Sequence, residues 1–149
     1  MAAGPNLPND PLADLLGYQL RRLSQLTMAD LAGALEPLGL RPAESSVLFA
    51  IAANPDITQS DVGRMLGVKR ANMAPLIAGL ESRELISRVP MDGRSQALRL
   101  TAKGEALHAA ARAATCTHEA RCFGTMPESE RARLTDQIHR LWTRLDTDD

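Results

Sequence analysis

The chain has 149 residues, 44% of them apolar, and a formal net charge of −1; that length suits one sizeable core, or a small head with an extension, and leaves two domains crowded. Only four residues are aromatic (Tyr18, Phe49, Phe123 and Trp142), so Leu, Ala, Ile, Val and Met must fill the interior, which is a helix-rich recipe. No apolar run of about 18 residues is present, and the first residues carry neither a basic start nor an apolar stretch for export. A cytoplasmic location is therefore expected, with Cys116 and Cys122 kept reduced.

Residues 1–10, rich in Gly, Pro and Asn, read as a leader. A first helix is predicted from Pro11 to about Leu35, with Leu12, Leu15, Leu16, Leu20 and Leu23 on one face. Pro37 and Gly39 interrupt the chain, and Pro42 opens a second helix that turns Val47, Leu48 and Ile51 inward and ends at Asn54-Pro55. Thr58 is placed to cap a third helix, with Asp61 in its first turn and Val62, Met65 and Leu66 inward, and Gly67 stops it. Arg70 begins a fourth, whose buried stripe is Met73, Leu76, Ile77 and Leu80.

After Leu85 the period changes. Residues 86–89 and 97–100 read as short strands around the turn-forming residues 91–95, a hairpin that would project as a wing. Thr101 then caps a long alanine-rich fifth helix reaching about Phe123. Pro127 sits early in a sixth, which carries Leu134, Ile138, Leu141, Trp142 and Leu145. So apolar a terminal stripe needs either a second copy of the chain or the rest of its own subunit to cover it.

Charge is unevenly spread. Between Thr58 and Thr101 seven basic residues face four acidic ones, giving +3, and the remainder carries −4. A locally positive head directs phosphate to one surface and predicts binding that weakens with salt. The exposed start of the fourth helix, Lys69-Arg70-Ala71-Asn72, fits the major groove of double-stranded DNA: Arg70 suits guanine, Asn72 adenine and Ala71 a thymine methyl, with phosphate contact as the alternative for Lys69 and Arg70. Gln59 and Ser60, opening the third helix, are candidate phosphate donors.

Asp92, Arg94, Ser95, Leu98, Leu100, Thr101 and Gly104 together resemble the wing and following helix start of the MarR family of bacterial transcriptional regulators, and the resemblance runs from about Leu12 to Leu145. It implies a mainly α fold with a small β-hairpin. The winged helix-turn-helix would lie over residues 41–101 and dimerisation helices over 11–36 and 102–146, all within one domain, 11–149. It further implies an obligate homodimer, a pseudo-palindromic operator, and a non-enzymatic repressor relieved by a small aromatic or phenolic acid. Within the family's wing the arginine, here Arg94, enters the minor groove, oriented by an acidic residue two positions earlier, here Asp92. Pro75 departs from the family pattern and predicts a kink or widened turn, or a proline tolerated in a helix held by its buried stripe.

Relatives in that family bind aromatic acids between the head and the dimerisation helices. Tyr18 and Arg22, four apart on one helix face, offer a hydroxyl and a cation to a carboxylate, with Val47, Phe49 and Ile51 as apolar lining. No cofactor is called for. A second regulatory class stays open, a metal- or thiol-responsive sensor of the same fold using Cys116, His118 or Cys122. His118 and Cys122 share a helix face, but two ligands do not make a site, and packing or a second subunit would have to bring in His108 or Cys116. The cysteines themselves lie about 240° apart around one helix and cannot pair with each other.

Overall fold

The helix breakers and caps divide the chain much as they do in the sequence. The computed structural model describes residues 10–93 and 95–146. Six α-helices run α1 Leu16–Leu35, α2 Pro42–Ala53, α3 Gln59–Leu66, α4 Arg70–Ser82, α5 Ala102–Phe123 and α6 Glu128–Asp146. A 3-10 turn, Glu36–Leu38, follows α1, and strands β1 Ile86–Pro90 and β2 Gln96–Leu100 separate α4 from α5. The architecture is mainly α with one antiparallel hairpin. No helix among the described residues is long and apolar enough to cross a membrane.

The core sits in the head. Met73, Ile77 and Leu80, spaced four and three along α4, are sealed against Val47 and Leu48 of α2 and Val62 of α3. Leu76, expected in that stripe, is half-buried at its edge. Met65 departs further: expected inward on α3, it is 51% exposed. Val62 and Gly63 are both buried, and at about 100° per residue the inward face centres between them and Leu66, with Met65 well to one side. Removing the buried side chain of Ile77 would cost about 2–5 kcal/mol at such a site.

The hairpin pairs Ile86 with Leu100, Arg88 with Leu98 and Pro90 with Gln96. A third short segment, absent from the sequence prediction, holds it to the head: Thr58 bridges Ala97, and the Leu98 amide donates to the Ile57 carbonyl at 2.8 Å. The end of α4 is fastened to the start of α2 through a buried carboxylate, Glu44, which accepts from the Arg41 amide at 2.8 Å and pairs with the Arg41 and Arg83 guanidiniums. Burial raises the Glu44 pKa, but its bonds to Arg41 and the charge of Arg83 outweigh that and hold it below the usual glutamate range.

One expected helix start needs correction, and the two alternatives for Pro75 are decided in favour of the second. Helix α1 begins at Leu16 and not at Pro11. Residues 11–14 form a turn held by the Asp10 carboxylate, which accepts from the Leu12 amide at 2.9 Å, so Pro11 serves an Asx-type turn and not a first helical turn. Pro75 neither ends nor changes the type of α4, which stays α-helical from Arg70 to Ser82. The proline is exposed, so the Ala71 carbonyl that it deprives of a donor lies on the solvated side while the opposite stripe holds the helix.

Outside the head the apolar surface is open. Helix α6 buries none of its residues, and Leu141, Trp142 and Leu145 are 37%, 50% and 68% exposed; along α1, Leu16, Leu20, Leu23 and Leu26 are exposed as well.

Helix α5 is seated on the head at its first turn. The Thr101 hydroxyl donates to the Glu84 carbonyl at 2.6 Å and accepts from the Gly104 amide at 3.0 Å, and the Thr101 amide reaches the Leu85 carbonyl at 3.1 Å. Gly104 is packed so closely that a Cβ there would lie 1.9 Å from the Leu85 oxygen. Gly104→Ala is therefore expected to destabilise the chain by about 1–3 kcal/mol or more. Gly33→Ala, at an open helical position, is the control and should be neutral or slightly stabilising. Urea unfolding of both variants checks this.

Candidate nucleic-acid interface

The two helices that would meet DNA are set by their caps. Thr58 and Asp61 exchange bonds around the start of α3: the Thr58 hydroxyl accepts from the Asp61 amide at 3.2 Å, and the Asp61 carboxylate accepts from the Thr58 amide at 3.2 Å and hydroxyl at 2.6 Å. Those bonds, the hydroxyl's foremost, together with Arg64 hold the Asp61 carboxyl below its usual range. Gly67, at φ +62°, then turns the chain in the left-handed conformation that glycine adopts without strain, and α4 starts three residues later.

Lys69 is the N-cap of α4, and Arg70, Ala71 and Asn72 are its first three residues; all four are exposed. Gln59 and Ser60 open α3 beside them, Ser60 exposed and Gln59 half-buried. A cleft of about 570 Å³ runs between α3, α4 and the hairpin, lined by Gln59, Ser60, Arg64, Arg70, Arg88 and Gln96 among others. Asp92 is exposed at the hairpin turn, and Arg94 lies outside the described residues. The sequence-derived positions Gln59, Ser60 and Arg70 thus share one surface.

Arg88 was not singled out from the sequence. Its guanidinium pairs with both oxygens of Glu81 on α4, at 2.9 and 3.2 Å, and donates to the Gln59 side chain at 3.1 Å, so a single group from β1 fixes two helices. Alternation along β1 could have flagged it, because Arg88 shares a face with the buried Ile86 and lies opposite the buried Leu98.

Ion pairing also shows where the head's positive charge is free. Arg64 pairs with Asp61, Arg83 with Glu44, Arg88 with Glu81 and Arg99 with Asp56. Among the described residues Lys69 and Arg70 form no ion pair, which leaves the first turn of α4 with uncompensated cations close to the positive end of a helix dipole.

The expected effector residues are dispersed. Tyr18 and Arg22 do meet, the guanidinium donating to the phenol oxygen at 3.1 Å, but the phenol proton is given to Asp10 at 2.8 Å. Val47 is wholly enclosed in the core and offers no surface to a ligand; it belongs to the stripe that packs on α4. Ile51, 5% exposed, borders a shallow groove with Asp56, Leu98, Arg99 and His108, and Phe49 meets the His108 ring edge-on at 5.4 Å.

Of the possible sensor residues, Cys116 is exposed on α5 and His108 is engaged with Phe49. His118 and Cys122 instead meet Asp30 of α1. His118 Nδ1 lies 2.7 Å from Asp30 Oδ2, and Arg121 grips the same carboxylate through both of its oxygens. The Arg121 and His118 hydrogen bonds hold the Asp30 carboxyl at about 2, whereas burial, with the Asp30 charge, raises the Cys122 thiol.

A helix-turn-helix followed by a hairpin, with its free cations at the start of the second helix, defines a winged-helix nucleic-acid-binding protein. Comparison with known proteins narrows this. Residues 38–95 match the family model described as the MarR family. The transcriptional repressor CouR, solved bound to a 23-mer DNA duplex, is 34% identical with a TM-score of 0.84 over 91% of this chain and 97% of that one. CouR of Rhodococcus jostii RHA1 bound to p-coumaroyl-CoA is 26% identical, TM-score 0.83, over 89% of this chain and 95% of that one. The transcriptional repressor Rv2887 of Mycobacterium tuberculosis is 27% identical over 85% of this chain and 92% of its own; its complex with salicylic acid superposes with a TM-score of 0.68. The chain belongs to the MarR family of transcriptional regulators.

The capping box at α3 gives a direct test. Thr58→Ala is expected to cost about 1 kcal/mol in chemical denaturation. Because the Asp61 pKa is lower folded than unfolded, its stabilising effect is complete above the ordinary carboxylate range and is lost as pH falls through the folded value. Asp61→Asn should accordingly be less stable than the parent chain at neutral pH, with the gap closing in acid; a gap independent of pH would show that the charge contributes nothing.

Proposed function

We propose that the chain is a homodimeric repressor that sets the first turn of α4 into the major groove and the hairpin tip into the adjacent minor groove of a pseudo-palindromic operator. The observation that carries this is the free charge of Lys69 and Arg70 on a head whose other described arginines are paired. Relatives named as repressors, CouR among them with DNA bound, support it. In this reading Arg70 and Asn72 meet base edges, Ala71 a thymine methyl, Lys69, Gln59 and Ser60 the phosphates, and Arg94, oriented by Asp92, the minor groove.

Dimerisation follows from surface chemistry. The open apolar faces of α1 and α6 would be covered by the same faces of a second copy around a two-fold axis, and that axis repeats the reading helix along the duplex. The effector is proposed to be a phenolic aromatic acid presented as its coenzyme A thioester. CouR, the relative with p-coumaroyl-CoA bound, superposes more closely than Rv2887 with salicylic acid. Ligand binding between head and dimerisation helices would alter the separation of the two α4 helices and release the operator.

Fluorescence anisotropy on the DNA flanking the chain's own gene tests the whole scheme. Affinity should fall steeply with salt, and Arg70→Ala should weaken binding by about 5- to 150-fold with relaxed discrimination at one base position. Arg94→Ala should weaken all operator variants alike. p-Coumaroyl-CoA should release the duplex at concentrations at which free salicylate does not; release by neither rejects the effector assignment. For the dimer, Trp142→Glu should give a monomer in analytical ultracentrifugation that no longer binds the operator, and a variant that stays dimeric would exclude α6 from the interface.

A further inference from the structure

The meeting of Asp30, His118 and Cys122 is not used by the DNA-binding scheme and stands independently of it. One donor atom from each, a carboxylate oxygen, an imidazole nitrogen and a sulfur, lies within 4.8 Å of the others. His118 and Cys122 occupy successive turns of one face of α5, and Asp30 comes from the facing helix α1. The His118 side chain is only 5% exposed, so its ring is held towards the other two by packing.

We propose that these three side chains form a binding site for a borderline-soft divalent cation of the Zn2+ class, with water as fourth ligand. The argument is geometric. With metal–ligand bonds of about 2.3 Å to sulfur and 2.0–2.2 Å to nitrogen and oxygen, the edges of a tetrahedron are about 3.6 Å from sulfur to nitrogen or oxygen and about 3.4 Å from nitrogen to oxygen. Cys122 Sγ lies 3.6 Å from His118 Nδ1 and 3.7 Å from Asp30 Oδ2, so both sulfur edges already match. Only the hydrogen-bonded edge from His118 to Asp30, at 2.7 Å, must open, and a cation replacing the shared proton does that.

The rest of the surroundings fit the same assignment. Arg121 Nε donates to Asp30 Oδ1 at 3.1 Å and can keep that bond while its second contact, from the guanidinium to Oδ2 at 2.5 Å, gives way to the metal, so that the carboxylate stays oriented by a second layer of support. On the far side of the imidazole the Glu119 carboxylate stands 4.0 Å from His118 Nε2, beyond hydrogen-bond reach but close enough for its charge to favour a bound cation. On binding, the proton that His118 Nδ1 shares with Asp30 is exchanged through solvent so that the neutral ring carries its one proton on Nε2, the thiol proton of Cys122 leaves to solvent, the sulfur–metal bond forms, and the site takes one thiolate, one carboxylate and one neutral imidazole. A mixed set with sulfur selects Zn2+ over Mg2+ and Ca2+, which prefer oxygen. The bound cation would fasten α1 to α5 across 88 residues of sequence.

Titration of the full-length, chelator-stripped chain with Co2+, with a phosphine as reductant, tests the site. The expected result is one Co2+ per chain, giving the visible bands of tetrahedral coordination and a near-ultraviolet thiolate charge-transfer band, both displaced by Zn2+ and unaffected by a large excess of Mg2+. Cys122→Ser should abolish the charge-transfer band, Asp30→Asn should weaken Co2+ binding by at least tenfold, and Cys116→Ser should change neither. Circular dichroism establishes that each variant is folded, and the near-isosteric Cys122→Ser preserves the test if Asp30→Asn does not fold. An octahedral spectrum, no thiolate band, or a band that follows Cys116 instead of Cys122 overturns the proposal.

Discussion

The Leu85 carbonyl is where three parts of the molecule converge. It accepts from the Thr101 amide at 3.1 Å and stands against Gly104, while Leu85 itself, 2% exposed, closes the core at the end of α4. Helix α4, the root of the hairpin and the first turn of α5 are therefore fixed relative to one another by contacts too short to admit even a methyl group. Through this junction the orientation of α5 is rigidly tied to that of α4. A long helix can transmit a change of position to a reading helix only if their joint is stiff, and here the joint is made of backbone atoms in van der Waals contact.

A second constraint acts on charge. Arginines within the head are largely consumed in holding it together: Arg83 and Arg41 neutralise the buried Glu44, and Arg88 ties Glu81 to Gln59. Pairing so many cations internally makes the remaining ones more distinctive, because among the described residues of the head the unpaired cations are Lys69 and Arg70. The chain's overall charge of −1 conceals this arrangement. What matters to a polyanion is the location of cations that the fold leaves uncommitted, and that is a property of tertiary structure.

Much of the fold was legible because caps and breakers act locally. Thr58 with Asp61, Gly67, Thr101 and Pro42 mark helix ends by bonds spanning a few residues, and the structure has each of them in that role. Pro11 misled because its effect depends on Asp10, whose side chain stabilises a turn in place of a helix. Met65 misled because the inward face of an eight-residue helix is set by what approaches it, here the Val68 carbonyl 3.1 Å from where a Cβ on Gly63 would lie. Long-range pairings were the least legible: nothing near Arg88 in sequence announces Gln59, and nothing near His118 announces Asp30. Val47 was offered as lining for an effector that the family resemblance implies, and its apolar character does not distinguish a pocket wall from the core in which it is enclosed.

The contact between α1 and α5 brings these strands together. Asp30 accepts from Arg121 and lies against His118 and Cys122, so the two helices are joined by a polar group flanked on one side by the head and on the other by the open apolar faces of α1 and α6. A purely apolar seam between α1 and α5 would tolerate sliding, since dispersion contacts are non-directional. A carboxylate gripped by a guanidinium and an imidazole is directional and fixes the register of the two helices. On the proposed dimer, α1, α5 and α6 carry the contacts between subunits while the Leu85–Gly104 junction carries the head. On that proposal, whatever alters the register at Asp30, whether a ligand wedged beside it or a cation bound within it, would act on the part of the molecule that sets the distance between two copies of α4.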